Sequence, residues 1–270
     1  MQAFKDSLKQ NLPEPAISFL KESYDFVARV PDWPSASFHP WRKQSIDRLN
    51  EFKDIHRGER CFLIGNGPSL RKTNLQKLRD EFTIGTNRFF LAFSELGFET
   101  SYYLTVNDLI AEQSGTELQA LEMPTFVSWR MRKWLKPSPN LMYLYTTYTG
   151  KKFAHNISSR VWEGGTVTYT GLQLAFHLGF KEVILIGVDH SYTSQGKPNE
   201  TVVSEGNDPN HFDPNYFGKG FRWQLPDLEN WERAYELAKS NYENAGRQVL
   251  DATIDGKLQV FPKINYDSLF

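Results

Sequence analysis

Arg60-Cys61-Phe62-Leu63-Ile64-Gly65-Asn66-Gly67-Pro68-Ser69 is the stretch that decides how the rest of the chain is read. Four consecutive apolar residues closed by a glycine-rich turn read as a short strand buried on both faces, the habit of a parallel sheet. Gly65 and Gly67 let the backbone turn sharply and approach a ligand, and such a turn can free amide N–H groups to face an anion. Pro68 then fixes the path into Leu70 to Leu78, which reads as a helix whose N-terminus favours phosphate. The turn is neither a Walker loop, since no Gly-Lys-Ser/Thr follows, nor a full dinucleotide fingerprint.

Outward from this stretch the same alternation recurs. Strands are expected at Phe82 to Asn87, Tyr102 to Asn107, Thr125 to Val127 and Leu141 to Tyr145. Gly171 to Leu178 reads as an apolar helix closed by Gly179, and Val183 to Ile186 as a buried strand ending at Gly187-Val188-Asp189-His190. A helix over Asp227 to Asn244 carries Leu228, Trp231, Tyr235, Ala238 and Tyr242 on one face, and a closing strand follows at Gln248 to Leu250. Upstream, Ile46, Leu49, Phe52 and Ile55 make one stripe on a helix from about Gln44 to a cap at Gly58, behind a proline-punctuated lead-in. Strands alternating with helices predict an α/β, Rossmann-like fold: a mostly parallel sheet with helices on both faces over 58–270, and a helical N-terminal extension over 1–57. Ser191 to Gln224 is long, polar and rich in Gly and Pro, which marks a lid.

Composition narrows the function without naming it. Lysine and arginine number 31 against 32 acidic residues, so no global charge draws the chain to nucleic acid. The single cysteine, Cys61, falls inside the first strand, reads as a core residue and allows no internal disulfide. No apolar run approaches the ~20 residues that span a bilayer, and the start MQAFKDSLKQ lacks signal-peptide features, so a cytoplasmic location is expected. Trp129-Arg130-Met131-Arg132-Lys133-Trp134 could touch the inner face of a membrane, though an ordinary amphipathic surface segment explains it as well. Aromatic residues, 14% of the chain, suit a site for planar or sugar-like ligands, although core packing accounts for many of them.

Ligands of open α/β sheets bind beyond the carboxyl ends of the strands. The candidates are therefore Gly65 to Ser69, Asn87 with Arg88, Asn107 with Asp108, and Asp189 with His190. Asn87 and Asn107 could bond a base or ribose, or simply close their turns. His211 has the ordinary pKa of a general base near neutrality and stands near Asp208, Asp213 and Tyr216, any of which could orient it. Asp189, Asp208 and Asp213 could hold Mg²⁺ with phosphates, but no tight acidic pair or Cys/His constellation marks a metal site.

Ile64-Gly65-Asn66-Gly67-Pro68-Ser69-Leu70, Thr86-Asn87-Arg88-Phe89-Phe90, Val106-Asn107, Thr170-Gly171 and Leu178 through Asp189 together resemble a known superfamily. It is the DUF115 or MptE-like group, which includes motility-associated factors and is related to the Campylobacter-type bacterial sialyltransferases. The resemblance runs from about residue 58 to 265 and implies a GT-A-like variant of the Rossmann-like fold. It implies that Gly65, Asn66, Gly67, Pro68, Ser69, Asn87, Asn107, Thr170 and Gly171 bind the nucleotide of a CMP-activated sugar. It gives Tyr192 the departing phosphate and His211 the acceptor proton; Asp189, from its place at a strand end, is a further catalytic candidate. Two departures stand out. The family's base falls nearer Phe217-Gly218-Lys219-Gly220, and its arginine before the threonine–glycine turn is replaced by Val167-Thr168, for which Arg160 could substitute.

The resulting expectation is a metal-independent glycosyltransferase acting on a CMP-sugar donor, sialic-acid-like or Kdo-like, and on a glycan or glycoprotein acceptor in surface polysaccharide or flagellin glycosylation. It leaves homo-oligomer formation open. The alternatives are a pterin-type pyrophosphokinase using ATP and Mg²⁺, and a non-catalytic nucleotide- or glycan-binding domain.

Overall fold

A computed structural model describes residues 32–148, 150, 152–193 and 196–270, with scattered positions between 13 and 30. Among the continuously described residues two helices come first, α1 (Trp33–Phe38) and α2 (Pro40–Glu51). The strands β1 (Arg60–Ile64), β2 (Thr83–Thr86), β3 (Tyr102–Thr105), β4 (Thr125–Ser128), β5 (Leu141–Thr147), β6 (Arg160–Trp162) and β7 (Glu182–Ile186) follow. Between β3 and β4 lie α3 (Asp108–Gln113) and α4 (Gly115–Gln119), and between β6 and β7 lies α5 (Val167–Leu178). The hairpin β8 (Thr201–Val203) and β9 (Arg222–Gln224), the helix α6 (Leu228–Asn244) and β10 (Gln248–Asp251) complete the chain.

Eight strands form one sheet in the order β10-β7-β1-β2-β3-β4-β5-β6, every neighbouring pair parallel. The chain steps from β1 outward to β6, then returns across the sheet to place β7 against the other edge of β1. The order therefore reverses between β1 and β7, and that reversal opens a crevice at the strands' carboxyl ends. Alternation along the strands divides the core into two layers. Cys61, Leu63, Leu104, Phe126, Val183 and Leu185 face α5 and α6, while Phe62, Ile64, Tyr103, Val127, Ile184 and Ile186 face the opposite layer. Apolar residues on both faces are why these strands read as continuous runs rather than alternating ones.

Seven of the expected strands stand where the apolar runs placed them. β6 carried too little signal, being three residues with only Val161 fully buried. The 191–224 segment contains the hairpin β8–β9, whose residues are largely exposed. The helix expected over Leu70 to Leu78 is two turns of tighter helix, Pro68–Lys72 and Leu75–Leu78. Asn74 separates them because its side chain accepts from the Gln76 amide and starts the second turn. The helix expected from Gln44 begins earlier, at Pro40, capped by His39 Nδ1 accepting from the Trp41 amide. It ends at Glu51, and turns carry the chain to Gly58. The lead-in before Asp32 lies largely outside the described residues.

The α2 helix is tied to the sheet by its polar side chains. The Tyr143 amide donates to Ser45 Oγ, Arg48 donates to the Leu141 carbonyl, and the buried Arg42 donates to the carbonyls of Ser158 and Ser159. In the Trp129–Lys133 turn, Trp129 and Met131 are buried and the Trp129 indole donates to Ser35 Oγ, while Lys133 is exposed. No described helix is long and apolar enough to cross a membrane.

Candidate functional site

The crevice between β1 and β7 deepens into a cavity of about 710 Å³. Its floor is built from strand ends: Gly65, Asn66 and Gly67 after β1, Asn87 after β2, Asn107 and Asp108 after β3, and Gly187 through Tyr192 after β7. The N-terminus of α5 supplies Gly165 to Thr168, and α6 supplies Asn230, Trp231 and Tyr235. The 191–224 segment forms the roof with Asn210, His211, Tyr216, Phe217 and Trp223. It is fastened down where the Phe212 amide donates to the Asn66 carbonyl and Arg71 donates to the carbonyls of His211 and Phe212.

The glycine-rich loop does not present a row of free amides. Gly65 N–H donates to the Ile186 carbonyl and Gly67 N–H to the Gly187 carbonyl, both at 2.8 Å. The Ser69 amide and hydroxyl both donate to the Asp189 carboxylate, at 3.0 and 2.6 Å. The loops after β1 and β7 are thus laced together, and the lacing explains the glycines. A Cβ on Gly67 would lie 1.8 Å from Asp189 Oδ2, and one on Gly65 would lie 2.3 Å from the Gly187 carbonyl oxygen. The amides at 65, 67 and 69 are engaged within the protein, and Ser69 and Pro68 are not on the cavity wall, whereas Gly65, Asn66 and Gly67 are. Asp189 changes role with them. With both carboxylate oxygens accepting from Ser69, it holds the loop rather than serving as a proton acceptor. Burial pushes its carboxyl above the ordinary value, against the Ser69 hydrogen bonds that lower it.

Asn66 is placed differently. Its Nδ2 donates to the Thr86 carbonyl and to Thr86 Oγ1, whose own hydrogen goes to the Ile64 carbonyl. That chain of donors fixes the amide orientation and leaves Oδ1 buried with no partner among the described residues. Asn66 therefore offers the cavity one fixed acceptor. Asn87 sits at a left-handed φ of 53° and accepts from Thr105 Oγ1, while Asn107 caps α3 by accepting from the Leu109 amide. Both have part of their amide committed to the backbone path and still line the cavity.

Thr170 and Gly171 lie elsewhere. They belong to the interior of α5, where Thr170 is fully buried and a Cβ on Gly171 would fall 2.7 Å from Leu63 Cδ1. This helix starts four residues before the expected Gly171, capped by Thr166 Oγ1 accepting from the Thr168 amide. The β-branched Val167-Thr168-Tyr169-Thr170 run has weak helix preference, which burial on the sheet overrides. The helix residues at the cavity are Thr166, Val167 and Thr168 instead. Arg160 does not substitute for a site arginine, because it lies on β6 over the Trp162 ring, outside the cavity.

His211 is 8% exposed, its ring parallel to Tyr216 at 4.0 Å, with Nδ1 at 2.7 Å from Asp208 Oδ2. Of the three candidate orienting residues, Asp208 makes the hydrogen bond and Tyr216 the stacking contact. A carboxylate accepts only, so Nδ1 carries the hydrogen and Nε2 remains as the ring's lone-pair nitrogen when neutral. Tyr192 stands edge-on between His211, at 6.4 Å, and Trp231, at 5.8 Å, its phenol pushed up by burial. It stays a neutral donor around neutral pH.

Of one wall, only Asp108 was legible in the sequence. Arg130, beyond β4, is paired with Asp108 and the buried Glu163 and donates to Thr146 Oγ1, with Tyr148 over its guanidinium at 4.0 Å. Burial pushes the Glu163 carboxyl up, opposed by Arg130. Asp108, Tyr148 and Glu163 line the cavity. They are 55 residues apart at the extremes, which no local pattern could join.

A family model described as 6-hydroxymethylpterin diphosphokinase MptE-like matches residues 38–195 of this 270-residue chain. The chain belongs to the MptE-like family. The match takes in strands β1 to β7 and the first part of the roof of the MptE-like chain. Comparison with solved structures gives a motility-associated (MAf) glycosyltransferase from Magnetospirillum magneticum AMB-1, with a TM-score of 0.47 and 15% identity. That alignment covers 85% of this chain and 39% of the other, so the chain spans well under half of that protein's length. Comparison with curated proteins gives no match.

Proposed function

We propose that this MptE-like chain is a glycosyltransferase. It would move a sialic-acid-like or Kdo-like sugar from a CMP-activated donor to a glycan acceptor in surface polysaccharide or flagellin glycosylation. The observation that carries the reading is His211. It is a buried imidazole oriented through Nδ1 by Asp208, with Nε2 left over, on a roofed cavity at the sheet's point of reversal.

The chemistry follows from those atoms. The acceptor hydroxyl attacks the anomeric carbon and gives its proton to His211 Nε2. The bond from that carbon to the phosphate oxygen breaks, and its electron pair leaves with the phosphate, inverting the anomeric centre. Tyr192, a neutral donor, supports the charge gathering on that oxygen. Asn66 Oδ1 takes a hydrogen bond from the nucleoside, either the cytosine amino group or a ribose hydroxyl. The roof excludes water that would otherwise consume the donor.

The test is a pair of measurements on His211→Ala with CMP-N-acetylneuraminate as donor. CMP affinity by calorimetry should stay within a few-fold of wild type, while transfer falls roughly 10²–10⁴-fold, the usual range for a lost general base. Transfer at the wild-type rate would remove His211 from the mechanism. Because CMP leaves readily without a Lewis acid, wild-type turnover should also persist in excess EDTA. Complete, magnesium-reversible loss, together with tight ATP binding, would move the assignment to a diphosphokinase.

A further inference from the structure

With the amides of Gly65, Gly67 and Ser69 engaged, the phosphate oxygens other than the one at Tyr192 need further donors. Two unmatched atoms stand together on the same cavity. His190 follows β7 at a left-handed φ of 55° and its side chain is only 5% exposed. Its Nε2 lies 2.9 Å from Glu232 Oε1, whereas Nδ1 is buried with no partner among the described residues. Trp231 is the neighbouring ring, 6.4 Å away between centroids, and its Nε1–H is likewise buried and unmatched. An indole nitrogen can only donate. A buried donor left without an acceptor is unfavourable, and a bound acceptor relieves it.

Of these atoms, Trp231 Nε1 stands at the start of a helix. A Cβ placed on Gly165 would come within 3.2 Å of Trp231 Nε1, so the indole edge packs on the residue just before Thr166, the cap of α5. That helix runs for twelve residues, with no acidic residue in its first turn. Its N-terminus carries partial positive charge. Gly165, Thr166, His190 and Trp231 all line the cavity. The Glu232 carboxylate is on the far side of the imidazole, at Nε2, and Asp189 is turned onto Ser69.

We propose that His190 Nδ1 and Trp231 Nε1, set over the N-terminus of α5, form the subsite that holds the anionic phosphate of the bound nucleotide. Glu232, an acceptor only, takes the Nε2 hydrogen, so Nδ1 donates to the phosphate as imidazolium and otherwise accepts from a protonated phosphate oxygen. This placement rests on the nucleotide-sugar reading of the cavity and adds the group that grips the phosphate.

The test compares CMP with cytidine, which shares every group except the phosphate, by calorimetry on three proteins. Trp231→Phe keeps an aromatic ring in place and removes the pyrrole half of the indole with its N–H. His190→Asn keeps a residue tolerant of the left-handed backbone but is too short to fill the imidazole's place. Each variant should lose about 10–100-fold in CMP affinity, the effect of one hydrogen bond to a charged group, while cytidine affinity changes less than about threefold. Equal losses for CMP and cytidine, or none for either, in both variants would overturn the proposal. If wild type binds UMP or AMP instead of CMP, the cytidylate reading fails, and the same nucleotide-against-nucleoside comparison with that base decides the subsite. If no nucleoside monophosphate binds more tightly than its nucleoside, the subsite is refuted as well.

Discussion

At the level of single residues, Asp189 shows how a strand-end carboxylate can look catalytic and be architectural. Both its oxygens accept from Ser69. Asp189→Asn should therefore keep one Ser69 bond through its carbonyl and another through its amide, and retain transfer within about tenfold. Asp189→Ala leaves the buried Ser69 amide unmatched and should cost about 1–3 kcal/mol in denaturant unfolding. The pH dependence has a definite sign. Burial raises this carboxyl above its ordinary 3.8, so the folded chain holds the proton more tightly than the unfolded one. Its contribution is fully present below that ordinary value and is lost as pH rises through the raised one. The stability of wild type minus that of Asp189→Asn should fall across that window and be flat above it. A difference that instead rises with pH would mean the carboxyl is lowered, not raised. Of the site, strand-end residues were legible because the parallel sheet dictates where loops gather. Which of them face the ligand was not, because Gly67 and Ser69 are set by a partner loop far away in the chain.

A helix was legible before β7, yet its start was misread, since Val167 to Thr170 look unhelical until the sheet packs on them. The resemblance gave Thr170 and Gly171 to the nucleotide, whereas both lie inside the buried helix. Gly171→Ala should accordingly act on the core: the new methyl presses on Leu63, costing about 1–3 kcal/mol, with CMP affinity of the folded protein unchanged. The roof is the other element whose behaviour can be read from its fastenings. Arg71 holds it by two carbonyls, His211 and Phe212. Arg71→Ala should speed limited proteolysis between Gly196 and Gly220, and saturating CMP should slow it again in wild type. Cleavage rates indifferent to both would mean that the roof is not a moving part.

For the molecule as a whole, buried apolar runs sufficed to read seven parallel strands, and both layers of the core follow from their alternation. β6 and the β8–β9 hairpin escaped because three-residue strands with exposed faces leave no pattern. The Arg130–Glu163 wall escaped because its members come from separate crossovers. The N-terminal helices also proved to be fastened to the sheet's far edge, through Arg42. That side chain is 2% exposed, and burial lowers its pKa to about 10. Arg42→Ala should remove its bonds to the Ser158 and Ser159 carbonyls and open a void. The expected cost is about 2–4 kcal/mol, with CMP affinity unchanged. Loss of CMP binding in a folded Arg42→Ala protein would place the extension in the site instead.

The lacing of the two central loops also sets a timetable for synthesis. Ser69 and its carboxylate partner Asp189 are 120 residues apart in the chain. At translation rates of about 5–20 residues per second, the β1 segment waits roughly 6–24 s for β7 to be made. Throughout that interval Cys61-Phe62-Leu63-Ile64 offers an unpaired apolar edge in a nascent chain, the kind of edge that recruits other chains or holdases. The binding crevice is then among the last features to exist. Ribosome-bound chains halted before β7 should be unable to bind nucleotide even though six of the eight sheet strands are already made.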